Sequence, residues 1–106
     1  MPKRSAPKVV GRKDDNGKLR WDLVPYGSLG EVVAVLTSGA SRYGDNNWRA
    51  VANGQERYFA AAMRHITDYK CGKTIDKDSG MRTLAHAVCD LLFLMELTNA
   101  KRTTSK

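Results

Sequence analysis

Apolar residues recur along this chain at spacings of three and four, and that periodicity divides it into helices. Leu29, Val32, Val33, Leu36, Ala40 and Tyr43 form one stripe. It opens at Ser28, where Ser28-x-x-Glu31 reads as a capping box, and Gly44 closes it, with Gly39 weakening its second half. A second helix is predicted from Asn53 or Gly54 to about Tyr69, with Asn53 and Glu56 repeating the capping pattern and Phe59, Ala62, Met63, Ile66 and Tyr69 as its core stripe. The third runs from about Met81 to Thr98, preceded by a loop from Cys71 to Gly80 in which Asp78 or Ser79 is placed to cap it. Eleven of the fifteen residues from Thr83 to Leu97 are apolar, so this helix is expected to be covered on more than one side.

The remaining segments read differently. Residues 1–17 are polar and basic without apolar periodicity, and predict a flexible basic lead-in. Trp21, Leu23 and Val24 predict an extended piece anchored on the body, with Pro25 holding Val24 out of the helical region. The expected organisation is a lead-in at 1–17, an all-α domain at 18–99 and a polar basic tail at 100–106. The fold class is an all-α bundle of three to four helices.

A length of 106 residues fits one domain with a modest core, so oligomerisation is expected to complete it. Eighteen Lys and Arg against eleven Asp and Glu give a net charge of +7, which suits a phosphate-bearing partner. Much of that charge lies in the terminal segments, where solvated ends and a phosphate-binding arm both account for it. Cys71 and Cys89 are too few for a metal cage and read as reduced thiols. The apolar run from Leu84 to Leu97 is too short to span a bilayer and contains His86, Asp90 and Glu96, and the N-terminus has no leader pattern. A cytoplasmic protein without a membrane partner is expected.

Two His/Asp pairs carry the candidate chemistry. His86 and Asp90 are one turn apart on the apolar third helix, where a carboxylate is costly unless it is paired or bound to a metal. A private hydrogen bond between them and a functional site both satisfy that requirement. His65 and Asp68 form a second pair on helix two, and the intervening loop adds Asp76 and Asp78. An antiparallel packing of the two helices lets these groups converge around a hard cation, Mg²⁺ or Mn²⁺, with imidazole extending the choice to Co²⁺. Lys18 and Arg20 are the basic residues nearest the body, and a segment from Gly39 to Trp48 offers aromatic faces and amides for a base. A zinc cage, a Walker loop and a dinucleotide fingerprint are all missing from the sequence. A small basic nucleic-acid-binding protein is the alternative, although it has no use for a buried acid such as Asp90.

Five short motifs in order, Lys18-x-Arg20-x-Asp22-Leu23-Val24-Pro25, Gly39-Ala40-x-x-Tyr43-Gly44-x-x-Asn47-Trp48, Arg64-His65-x-x-Asp68, Asp76-x-Asp78-Ser79-Gly80 and Leu84-Ala85-His86-Ala87, resemble the phage dATP/dGTP diphosphohydrolases. These are relatives of the MazG-like all-α pyrophosphohydrolases, and the resemblance covers about residues 18 to 97. It implies a helical oligomer, with a tetramer expected, that cleaves purine deoxynucleoside triphosphates between the α- and β-phosphates through a metal-activated water. In phages that replace adenine by 2-aminoadenine, it implies a supply of dGMP for that base and removal of dATP. The MazG acidic pattern is only partly present, because three of its acidic positions are not acidic here. The ligand set implied is therefore Asp68 and Asp90, helped by Asp76, Asp78 or Glu31. His65, Asp68 and His86 are the candidate catalytic groups. Lys18, Arg20 and Arg64 are expected on the phosphates, and Tyr43, Asn47 and Trp48 on the base.

Overall fold

A computed structural model of the protein describes residues 10–104, with side chains described through Asn99. Three α-helices make the fold: α1 (Tyr26–Tyr43), α2 (Gly54–Lys70) and α3 (Thr83–Thr104). Single 3-10 turns stand at Trp21–Leu23 and Asn47–Ala50. The all-α class is as the periodicity predicts, and α3 packs chiefly against α2 and secondarily against α1. Among the described residues, the only strand-like pairing is the isolated antiparallel bridge of Ile75 with Arg82. No described helix is long and apolar enough to cross a membrane.

Helix α1 starts two residues before the expected Ser28. The Leu29 N–H bonds to the Pro25 carbonyl at 3.0 Å, which draws Tyr26 and Gly27 into the first turn. Ser28 then sits inside the helix and makes no cap, which frees Glu31 for another partner. Gly44 ends the helix at φ 97°, a conformation glycine adopts without penalty, with its N–H on the Ala40 carbonyl at 2.8 Å. The expected box at Asn53 is not formed either. Asn53 is left-handed, at φ 61°, and its side chain caps nothing.

The predicted extended piece at Trp21 is instead a 3-10 turn, closed by the Val24 N–H on the Trp21 carbonyl and braced by the Tyr26 hydroxyl on that same oxygen at 2.7 Å. Trp21 is 66 % exposed and does not anchor on the body. Helix α3 begins two residues after Met81, because Met81 and Arg82 are spent on the loop. The Asp76 N–H bonds to the Met81 carbonyl, and the Thr83 N–H to the Thr74 carbonyl. The helix also continues past Thr98 to Thr104, into the segment expected as a tail. Of the predicted lead-in, residues 1–9 lie outside those described, as do 105–106 of the tail.

The core is small. Val32, Ala85 and Cys89 are buried, with Leu29, Val35, Leu36 and Phe93 packed on them. The predicted stripes are only partly inside. On α2 Ala62 is buried, whereas Phe59, Met63, Ile66 and Tyr69 are exposed, as are Val33 and Tyr43 on α1. Val88, Leu91, Leu92 and Met95 of α3 are also uncovered. The described residues therefore leave much of the apolar surface of these helices uncovered. The radius of gyration, 19.6 Å, exceeds the roughly 13 Å typical of a compact chain of this length.

Candidate active site

Helix α3 and the end of α1 enclose a cleft of about 960 Å³ whose walls are completed by the 44–48 turn and the 71–82 loop. Eight of the expected site residues line it: Tyr43, Asn47, Trp48, His65, Asp76, Asp78, His86 and Asp90. Lys18, Arg20, Glu31, Arg64 and Asp68 do not.

The two imidazoles form the centre. His65 of α2 stacks on His86 of α3 with ring centroids 4.9 Å apart and an interplanar angle of 24°. Each faces a carboxylate, but not the one expected from its own helix. His65 Nε2 lies 4.0 Å from Asp90 Oδ2, and His86 Nε2 lies 3.7 Å from Asp76 Oδ2. The pairing within α3, His86 with Asp90, is not made, because the ring of His86 turns toward the loop, where Ser79 Oγ meets its Nε2 at 2.7 Å. Nor does His65 pair with Asp68. Asp68 remains close enough for its charge to act on the His65 ring.

Burial sets the electrostatics. Asp90 is 8 % exposed, and its carboxyl is pushed up to about 7 by desolvation, against a downward pull from Arg64. Among the described contacts no donor stands within hydrogen-bond distance of it, so this is a buried carboxylate without close compensation. His65 is held below the ordinary imidazole value by burial and by His86, against opposing pulls from Asp76 and Asp68. Its Nδ1 is buried and has no hydrogen-bond partner among the described residues. Burial alone would raise Asp76, yet the Ser79 N–H at 2.9 Å, the Ser79 hydroxyl and the two imidazoles bring it below the ordinary carboxylate range. Burial and the Asp90 charge push the Cys89 thiol up to about 12, so it is inert.

Ser79 is the residue the sequence undervalued. Rather than capping α3, which starts at Thr83, its hydroxyl oxygen accepts the Met81 N–H at 3.1 Å and meets the His86 ring. Its spacing of seven from His86 carries no helical signal, and only the folded loop brings them together.

The aromatic wall is packed rather than empty. Trp48 stacks on Phe93 at 4.6 Å and 15°, Tyr58 meets Phe93 edge-on at 5.0 Å, and the Arg49 guanidinium lies 4.3 Å from the centre of Trp48. Tyr43 is 61 % exposed, under Arg42. Glu31 is bound in a two-bond pair to Arg82, at 2.7 and 3.1 Å, which lowers its carboxyl and occupies the oxygens expected on a metal. Arg20 folds back onto Asp22 at 2.8 and 2.9 Å.

The five expected metal ligands do not form one coordination sphere, and no three His, Cys, Asp or Glu side chains among the described residues are arranged to hold one ion by themselves. Magnesium, however, commonly takes one or two protein carboxylates and completes its shell with water and substrate phosphates. The uncompensated Asp90 fits that role.

Residues 8–106 match the family described as dATP/dGTP diphosphohydrolase, N-terminal. A relative named dATP/dGTP diphosphohydrolase, from Salmonella phage PMBT28, is 31 % identical over 96 residues, covering 91 % of this chain and 32 % of the relative. The chain thus spans about a third of the relative's length. No solved structure matches.

Proposed function

Because the chain belongs to the dATP/dGTP diphosphohydrolase N-terminal family, we propose that its cleft hydrolyses dATP and dGTP to the monophosphate and pyrophosphate. The observation that carries this reading is Asp90: a buried carboxylate that lines the cleft and faces an imidazole, with no hydrogen-bond donor close to it among the described contacts.

A divalent ion, Mg²⁺ or Mn²⁺, would be held by Asp90 and by Asp76 or Asp78 and would polarise the α-phosphate while offsetting charge on the leaving pyrophosphate. Asp68 is its reserve ligand, and the imidazoles make Co²⁺ an admissible substitute. His65, kept neutral by burial, offers Nε2 beside Asp90 as the acceptor for the proton of the attacking water. Ser79 holds His86 in place for the same water or for a phosphate oxygen. Tyr43, Asn46 and Asn47 line the end where the base fits, and Trp48 supports them from below through its stack on Phe93. Lys18, Arg20 and Arg64 supply positive charge to the phosphates.

The uncovered apolar faces of α2 and α3 support a homo-oligomer, with a tetramer expected. In a phage that uses 2-aminoadenine, the product dGMP would feed synthesis of that base while dATP is depleted, within the host cytoplasm.

The test is to incubate the protein with each of the four deoxynucleoside triphosphates and Mg²⁺ or Mn²⁺, and to separate the products. Pyrophosphate and monophosphate from dGTP and dATP are expected. Release of orthophosphate alone, or no turnover, overturns the reading.

A further inference from the structure

The basic residues best placed to bind phosphate are tied to the wrong end of α1 for their own cleft. The Leu23 N–H bonds to the Arg20 carbonyl at 3.0 Å, and the Tyr26 hydroxyl holds the Trp21 carbonyl, so the segment carrying Lys18 and Arg20 is fixed beside the start of α1. The cleft touches α1 only from Val35 onward. At 1.5 Å per residue that is about 14 Å beyond Tyr26, and Tyr43 is about 26 Å away. Arg20 meanwhile points back at Asp22.

The cleft needs those cations. Among the described residues that line it are Asp45, Asp76, Asp78, Asp90 and Glu96, against Arg42 as the one Lys or Arg. A triphosphate entering it meets a surplus of its own sign, and a single divalent ion does not reverse that. The arm that has the matching charge also exposes apolar surface that no described residue covers: Leu19 is 82 % exposed, Trp21 66 % and Leu23 69 %.

The outer face of α1 suggests where a second chain sits. Tyr26, Gly27, Gly30, Val33, Ala34 and Thr37 recur along one exposed side. A Cβ added at Gly27 or Gly30 would meet nothing within 4 Å, so no described residue uses the space these glycines leave, although glycine weakens a helix. Small residues spaced three and four apart let another helix approach closely.

We propose that a second copy of the chain packs on this face with α1 antiparallel to α1 about a two-fold axis, and that Lys18 and Arg20 of each copy complete the triphosphate site of the other. An antiparallel pairing sets the start of one α1 beside the end of its partner, so the arm reaches the cleft around that helix end, where Arg42, Tyr43 and the 44–48 turn line it. The same symmetry makes the contact self-complementary, so both sites are completed at once. What the cations do there rests on the nucleotide reading above, but where they go does not.

Two measurements test it. First, ¹⁵N-labelled Arg20→Cys and unlabelled Asp45→Cys proteins, both in a Cys71→Ser background, are mixed and treated with a short bismaleimide. A cross-linked peptide joining position 20 of the labelled chain to position 45 of the unlabelled one is expected. Its absence, or a single-chain protein by sedimentation, overturns the proposal whether or not the protein turns over nucleotide. Second, Lys18→Ala/Arg20→Ala and Asp90→Asn proteins, each nearly inactive alone, are mixed after dissociation. Random pairing makes half the dimers mixed, each with one intact site of two, so recovery of about a quarter of wild-type pyrophosphate release is expected. Activity no greater than the average of the two parents means the arm serves its own cleft and overturns it. A positive cross-link with a wild-type protein that releases no pyrophosphate leaves the assembly standing and removes the proposed reaction.

Discussion

His65 Nε2 and Asp90 Oδ2 face each other across the α2–α3 interface at 4.0 Å, within ion-pair range but beyond a hydrogen bond. The gap leaves Asp90 without a close donor, and burial raises its carboxyl to about 7.

The sign of the resulting pH dependence follows directly. The unfolded chain releases the Asp90 proton near the ordinary carboxylate value of 3.8, whereas the folded protein keeps it to about 7. Between these values the folded state binds more protons, so the contribution is full below the lower value and is lost as pH rises through the upper one. Asp90→Asn should therefore be more stable than wild type at pH 8 by on the order of 2 to 4 kcal/mol and show little difference at pH 3.5. Urea unfolding at both values checks it, and adding Mn²⁺ should narrow the gap at pH 8 if Asp90 is a ligand.

The same Asp90→Asn substitution should reduce pyrophosphate release from dGTP by about 100-fold or more, because the charge that would hold the ion is removed. A more stable and inactive protein is the expected combination. Retained turnover would remove Asp90 from the site.

Ser79→Ala should lower kcat by about 10-fold with little change in KM and shift the pH profile of kcat, since it frees the His86 ring without touching a phosphate ligand. Ser79→Thr, which keeps the hydroxyl, should restore most of the rate. An unchanged pH profile would reduce Ser79 to a loop residue.

Glu31→Gln separates two assignments for one carboxylate. As the partner of Arg82 it is exposed, and surface pairs contribute little, so a small drop in Tm and an unchanged metal requirement are expected. A steep rise in the Mn²⁺ concentration needed for activity would return Glu31 to the ligand set.

Trp48→Ala should cost about 2 kcal/mol by removing the stack on Phe93, and should raise KM for dGTP more than it lowers kcat. Trp48→Phe should recover the stability. Thermal melts with dGTP titrations distinguish these effects.

The helices were legible because their signals are local. Gly44 and Gly72 stop α1 and α2 with positive φ, and apolar spacing marks what lies between. The faces were less legible. Phe59, Met63 and Ile66 make as good a stripe as Ala62 and His65 do, and periodicity alone cannot say which of the two meets α3. Caps misled for a related reason: Ser28 and Glu31 have capping chemistry, but Pro25 starts the helix earlier and Arg82, fifty-one residues on, takes the glutamate. At the site, the residue types were right and the pairing was not, because His86 is turned by Ser79, a contact made by the loop rather than by helix geometry.

Thr83 shows what that loop implies for assembly. It is 2 % exposed, and its hydroxyl bonds to the carbonyls of both Lys73 and Thr74, fastening the end of the loop to the first turn of α3. The carboxylates and imidazoles proposed for the ion and the attacking water all lie between residues 65 and 90, so that side of the cleft is a local hairpin of low contact order. It can close rapidly, before α1 docks. On the proposed assignment, selectivity for the base would reside in a separate part of the chain, and the segment from Val35 to Trp48 would be free to change over evolutionary time without disturbing the groups proposed to break the bond.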